Sequence, residues 1–403
     1  MDKSGMDLIP GGKLYLDKNL RIIFGVTLTA VMGVASITPA FPKIIEEMGI
    51  SARSVGLLIT VFTMPGVILT PVLGILADHY GRKRVLIPSM FLFGIAGAAC
   101  AFSRDFNTML LLRLFQGIGA ASLGSMNVTL IGDIFPGRQR TKAMGYNASV
   151  LSIGTASYPA IGGTLAMLGW NWPFFLPLLA IPMGFVVLFF LKNPVIINDE
   201  RIIDQFKGAL KSMMNRQVVV LFTASVTLFI ILYGTCLTYI PILMAQAFNA
   251  SSAQIGMIFT SMSFITAVIS SQIGKISERF DERIIFRYSF LLYGFAVLLI
   301  PFMPGIGFMF IPMAIFGIGH GINIPCIQTL LAGLAPVEYR ATFMSINGMV
   351  LRLGQTLGPL IMGVALTLWG IRGPFFAGAV FGLFMFFFGL IMKGEKRSKD
   401  INQ

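Results

Sequence analysis

Residues 136–159 read PGRQRTKAMGYNASVLSIGTASYP, and residues 336–359 read PVEYRATFMSINGMVLRLGQTLGP. Pro136/Pro336, Arg140/Arg340, Met144/Met344, Asn147/Asn347, Gly154/Gly354 and Pro159/Pro359 recur at an offset of 200 residues, close to half of the 403-residue chain. The register holds upstream, where GILADHYGRKRV from Gly74 aligns with GKISERFDERII from Gly274. The chain is one unit written twice, and this predicts that its work is done between the two copies.

Composition sets the medium. The sequence is 56% hydrophobic and only 12% charged, with a mean hydropathy of +0.82. Soluble chains run near a quarter charged, so this one reads as an all-helical protein of the lipid bilayer. The alternating pattern of a membrane barrel is absent. Twelve apolar segments can be drawn at roughly 20–42, 54–77, 85–102, 108–133, 141–167, 172–191, 217–245, 252–274, 284–302, 306–334, 341–368 and 372–392. The boundaries predict a six-helix bundle over 1–191, a polar linker over 192–216 with a short surface helix, and a second bundle over 217–403. The first apolar run exceeds a signal-peptide core and is expected to be retained.

The net charge of +13 belongs to topology rather than to nucleic acid. Of the 30 Lys and Arg, Lys43, Arg53, Arg104 and Arg372 fall in loops of one face and Arg113 and Arg352 within helices; the rest gather on the other face. The positive-inside rule makes that basic face cytoplasmic, with both termini inside a cytoplasmic membrane. Cys100, Cys236 and Cys326 are isolated within spans and have neither disulfide nor metal spacing.

Several motifs now acquire a family. GILADHYGRKRV, with Gly74, Asp78, Gly81, Arg82 and Lys83, resembles the loop-2/3 signature of the major facilitator superfamily. LLLRLFQGIGAA around Arg113 resembles its fourth-helix motif, and Gly33…Pro39-Ala-Phe-Pro42 the first-helix motif of its twelve-helix drug:proton antiporters. Gly154-Thr-Ala-Ser-Tyr-Pro159-Ala-Ile-Gly162-Gly163 resembles the antiporter motif, with Tyr158 in place of a Gly, whereas Gly358-Pro359 keeps the Gly-Pro pair. The resemblance implies twelve helices in two pseudo-symmetric bundles that rock about a central site, lined by segments one, four, seven and ten with five and eleven beside it. It implies a charge network of Asp78, Arg82 and Asp133 that latches the outward-open state, with Glu278 as the mate of Asp78. It also links Arg113 to proton transfer.

The residues themselves add chemistry. Arg113 lies about five residues into its span, within snorkelling reach of the outer face. Arg352 lies about 17 Å into its span at about 1.5 Å per residue, near the midplane, where a cation costs at least roughly 2.5–3.5 kcal/mol and should face a cavity or a partner. Its repeat mate is Ser152. His320, also near midplane, has Ala120 as its mate and titrates in the range of a proton carrier. All 17 acids fall at loops or helix ends. A cavity with two arginines and no acid favours anionic, zwitterionic or neutral amphiphiles over organic cations. Gln116, Asn127, Tyr146, Asn147, Tyr233, Tyr239, Asn323, Asn347 and Gln355 are the uncharged candidates to line a path, each equally suited to an interhelical hydrogen bond.

These residues favour a monomeric secondary transporter, without cofactor or metal, that exports small amphiphilic compounds by proton-coupled alternating access. Uptake or facilitated transport of an organic anion with Arg352 as the anion site is the alternative. A non-transporting membrane sensor is more remote, because no stretch is long enough for a sizeable soluble domain. An enzyme fits poorly, since His79 and His320 are the only histidines and no nucleophile–base cluster or metal spacing appears.

Overall fold

The computed structural model describes residues 14–192, 213, 215–336 and 340–391. Among these the protein is helical throughout, and twelve helices run as α1 Lys18–Met48, α2 Ala52–Tyr80, α3 Arg82–Phe102, α4 Phe106–Ile134, α5 Gly137–Leu168, α6 Trp172–Phe190, α7 Arg216–Phe248, α8 Ser252–Arg279, α9 Glu282–Phe302, α10 Ile306–Leu334, α11 Arg340–Trp369 and α12 Gly373–Phe388. Each boundary lies within several residues of the sequence expectation. Most of the polar linker, with its expected surface helix, lies outside the described residues, as does the Arg340 side chain.

Local chemistry explains the ends. Asp17, Asp105 and Ser251 cap α1, α4 and α8 by accepting from backbone N–H groups of the first turn. Gly81, at φ +105, makes the one-residue turn between α2 and α3. Around Pro39 and Pro42, α1 tightens to a 3₁₀ turn over Thr38–Ala40, as the missing backbone donors require. At the corresponding place α7 widens instead into a π-helix over Ile230–Tyr239.

The repeat in sequence is a repeat in packing. Within the first half α2 packs on α4, α3 on α4 and α6, and α1 on α5; the second half repeats these pairs as α8 on α10, α9 on α10 and α12, and α7 on α11. Side chains repeat as well. Thr70 Oγ1 donates to Ala121 O at 3.0 Å, and Ser270 Oγ to Gly321 O at 2.9 Å.

The halves meet along α5/α8 and α2/α11. At the end away from the basic face, α5 and α8 touch backbone to backbone: a Cβ on Gly163 would lie 2.3 Å from Ser252 O, and one on Gly256 2.2 Å from Pro159 O. Toward the basic face the same helices separate. From Arg138 to Ile153, α5 is covered chiefly along the line of Ala143 and Asn147, and a Cβ on Gly74, Gly145, Gly274 or Gly348 would meet nothing within 4 Å. The molecule is closed on one face and open as a cleft on the basic face.

Gly163→Val should therefore penalise this closed end selectively. The three native cysteines are buried, so labelling of Thr356→Cys by an impermeant maleimide added from the face opposite the basic one reports the seal. Labelling is expected to be slow in the parent and several-fold faster with Gly163→Val; equal rates would show that this crossing does not seal the face.

Candidate functional site

The deepest cross-bundle contacts lie at mid-span. Thr60 Oγ1 donates to Thr356 O at 3.1 Å, and the Thr63 and Thr356 hydroxyls are 2.9 Å apart. One turn toward the basic face, Arg352 reaches from α11 into the first half. Its Nη2 donates to Ala120 O at 3.3 Å. Its Cδ, Nη1 and Nε lie 2.5, 2.7 and 2.8 Å from where a Cβ of Gly66 would stand, so α2 accepts the guanidinium only because residue 66 has no side chain. Arg352 is half-buried, and among the described residues no acid pairs with it. Tyr233, in the π-helical part of α7, lies within reach of its charge. Gln355, one turn along α11, is half-buried.

The other expected lining residues lie elsewhere. Arg113 does not snorkel. It is fully buried, with Nε donating to Leu58 O at 3.1 Å, Nη1 to Gly33 O at 2.9 Å and to Gln116 Oε1 at 2.6 Å, and its guanidinium lies 4.2 Å from the Phe62 ring centroid. It ties α1, α2 and α4 together, so the cleft has one mid-span arginine in this state, not two. Asn127, Thr27 and Asn147 form one buried network, Thr27 Oγ1 donating to Asn147 Oδ1 at 2.6 Å and Asn127 Nδ2 to Thr27 Oγ1 at 2.9 Å. Asn347 repeats this on α7 by accepting from Ser225 Oγ at 3.0 Å. Tyr239 is buried at the closed end, its hydroxyl 3.5 Å from Pro359 O. Tyr146 is exposed and meets Tyr15 edge-on at 5.9 Å. Asn323 is fully buried, and neither of its polar side-chain atoms has a hydrogen-bond partner among the described residues. His320 bonds through Nδ1 to the Tyr293 hydroxyl of α9 and stacks on Phe316, inside the second bundle.

The loop-2/3 residues assemble at the basic face. Arg82 pairs with Asp78 and, through Nε at 2.9 Å, with Asp133 Oδ2. Lys83 Nζ donates to Leu188 O at 2.7 Å and Leu191 O at 3.1 Å, where the α6 C-terminus has unpaired carbonyls. All these partners belong to the first half. The second half does not repeat the network, because the mates of Arg82 and Asp133 are Glu282 and Gly333. Glu278 and Glu282 line a cavity of about 340 Å³ with Gly274, Ser277, Cys326 and Thr329.

The antiporter-like glycines are packing surfaces. Gly154 faces Leu28 and Val31 of α1, and Gly162 faces Ser36, while Gly163 faces α8. Adjacent Gly162 and Gly163 thus let α5 lie against α1 and α8 at once, and Pro159 O faces Gly256 of α8 one turn earlier. Gly358, just before Pro359, lies against Gly234 of α7. Sequence reasoning passed over Gly66, Gly124 and the threonines at 60, 63 and 356. The repeat carried a signal for the glycines, because their mates are Thr266 and Ile324.

The sequence resembles known proteins along most of its length. It is similar to the quinolone resistance protein NorA of Staphylococcus aureus (strain N315), 24% identical over 357 residues that cover 86% of this chain and 90% of that protein. It is 24% identical over 365 residues to the bacillibactin exporter of Bacillus subtilis (strain 168), covering 87% and 90%. Its fold matches a crystal structure of a bacterial homolog to the human lysosomal transporter Spinster, in an inward-facing and unoccupied conformation, with TM-score 0.80 and 16% identity over 94% of this chain and 98% of that one. Residues 23–243 and 234–403 each match the sequence profile of the Major Facilitator Superfamily. This multi-pass membrane transporter, built of two six-helix bundles with a cleft between them, belongs to the Major Facilitator Superfamily.

Proposed function

We propose that the protein is a secondary exporter in a cytoplasmic membrane. It takes small amphiphilic compounds from the cytoplasm and releases them outside by alternating access, driven by proton entry. The observation that carries this reading is the cleft: it opens on the face whose loops hold most of the cations, the face that the positive-inside rule makes cytoplasmic, and it ends at mid-span. The names of the two relatives, one for quinolone resistance and one for export, point the same way. Two bundles that rock about the mid-span contacts would exchange which face is sealed.

Coupling is the finer question, since no carboxylate lies within the middle of a span. His320 is the imidazole inside a span, whereas His79 stands at the exposed end of α2. In this proposal His320, hydrogen-bonded through Nδ1 to the Tyr293 hydroxyl, carries the proton, and protonation makes both ring nitrogens donors, which would reorganise that bond and loosen α10 from α9. In proteoliposomes an imposed pH gradient, acid on the outer side, should drive a fluorescent amphiphile outward against its own gradient. His320→Gln should abolish the response to pH while leaving downhill movement. Parent flux indifferent to the gradient would refute proton coupling, an unchanged response in His320→Gln would remove His320 from it, and accumulation on the cytoplasmic side would favour uptake.

The charge network at the basic face would form the latch of the opposite, outward-open state, with Arg82 neutralising two acids so that the bundles can close over them. Partly exposed pairs contribute about 1 kcal/mol or less to stability. Arg82→Ala should thus leave the melting temperature in detergent nearly unchanged and reduce transport several-fold. A matching loss of stability would make the network structural only.

A further inference from the structure

Arg352 and its surroundings depart from the repeat together. Its own mate is Ser152, and the three small residues that receive it, Gly66, Ala120 and Gly124, have Thr266, His320 and Ile324 as mates. A Cβ on Gly124 would stand 3.4 Å from Arg352 Nη2, and the other two contacts are closer. The first half thus has a groove shaped for this side chain where the second half is filled. The groove supplies shape but little charge compensation. One backbone carbonyl at 3.3 Å accepts from Nη2; among the described residues the other guanidinium N–H groups have no protein acceptor, and no acid pairs with the group. A guanidinium in a low-dielectric setting, mostly buried and only partly exposed beside the cleft, is a receptor for a planar oxyanion, which it can bind by two parallel hydrogen bonds. Thr63, Thr356 and Tyr233 add hydroxyls nearby.

We propose that Arg352 binds the anionic head of an amphiphilic substrate, a carboxylate or similarly delocalised oxyanion, and that binding draws the guanidinium off Ala120 O. Substrate charge is then read at the contact that ties α11 to α2 and α4, so occupancy loosens the tie between the bundles. This assignment rests on the transport reading and names its substrate class. It also predicts that organic cations are excluded by the same charge.

The test uses the full-length protein in detergent and three probes of one shape: 2-naphthoate, neutral 2-naphthamide and cationic 2-naphthylmethylammonium, with affinity measured by equilibrium binding. The parent should bind 2-naphthoate at least about tenfold more tightly than either other probe, as expected for a bond worth about 1.4 kcal/mol or more. Arg352→Gln should erase that preference without changing the affinity for 2-naphthamide. Should Arg352→Gln not fold, Arg352→Lys carries the test. It keeps the charge but loses the fork, so 2-naphthoate should weaken several-fold while anion still exceeds cation. No anion preference in the parent, or full 2-naphthoate affinity in either variant, overturns the assignment. Equilibrium binding needs no pH gradient, so flux indifferent to the gradient would refute proton coupling, and cytoplasmic accumulation the export direction, without touching this assignment, and the reverse holds.

Discussion

Backbone against backbone is the contact on which the structure depends: α5 meets α8 with no side chain between them at Gly163 and Gly256. In lipid, apolar surface alone does not drive helices together, because acyl chains solvate it as well as another helix does. Close approach supplies what is missing, through dispersion and weak C–H···O contacts that only small residues allow. The two helices part before the basic face, so the bundles are tight at one end and apart at the other. Packed interfaces are bistable rather than continuously deformable, and in the proposed transport cycle this geometry is one of two states that a rigid-body rocking would interconvert.

Symmetry and its failure divide the labour. Features shared by the halves, such as Thr70 and Ser270 on the facing helix or Asn147 and Asn347 inside their bundles, hold each bundle as a rigid body. Features confined to one half do something else. Arg113 sews three helices of the first bundle, the Asp78–Arg82–Asp133 network lies only on that bundle, and Arg352 projects only from the second. A mid-span cation with one carbonyl acceptor among the described residues is costly for a fold to maintain unless another state, or a ligand, completes its shell.

The fold was legible because bilayer physics leaves few choices. Apolar length selected the helices, cation placement selected the face, and the offset of 200 residues paired them. Only α5 fails a simple hydropathy test, since it begins GRQRTK and carries many hydroxyls, and the repeat recovers it through its mate α11. The site was less legible. Depth along a helix can be counted, but azimuth cannot: Arg113, Gln116, Asn127 and Asn147 are at plausible depths yet turn into the bundle, and His320 turns toward α9. Hydrogen-bonding capacity alone does not say whether a polar residue faces a cleft or a neighbour. The broken mates Ser152/Arg352 and Ala120/His320 were visible in the sequence; that Arg352 touches Ala120 was not, because the two lie 232 residues apart.

The central claim is that two rigid bundles exchange which face is sealed. Pulsed electron paramagnetic resonance on lipid nanodiscs tests it with two spin-label pairs, Gly145/Ser345 across the basic ends of α5 and α11 and Leu168/Trp369 across their other ends. Alternation predicts two distances for each pair, with the long basic-face population rising and falling in opposition to the long population of the other face as amphiphile and pH are varied. A single fixed distance for both pairs, or faces that open together, would contradict it.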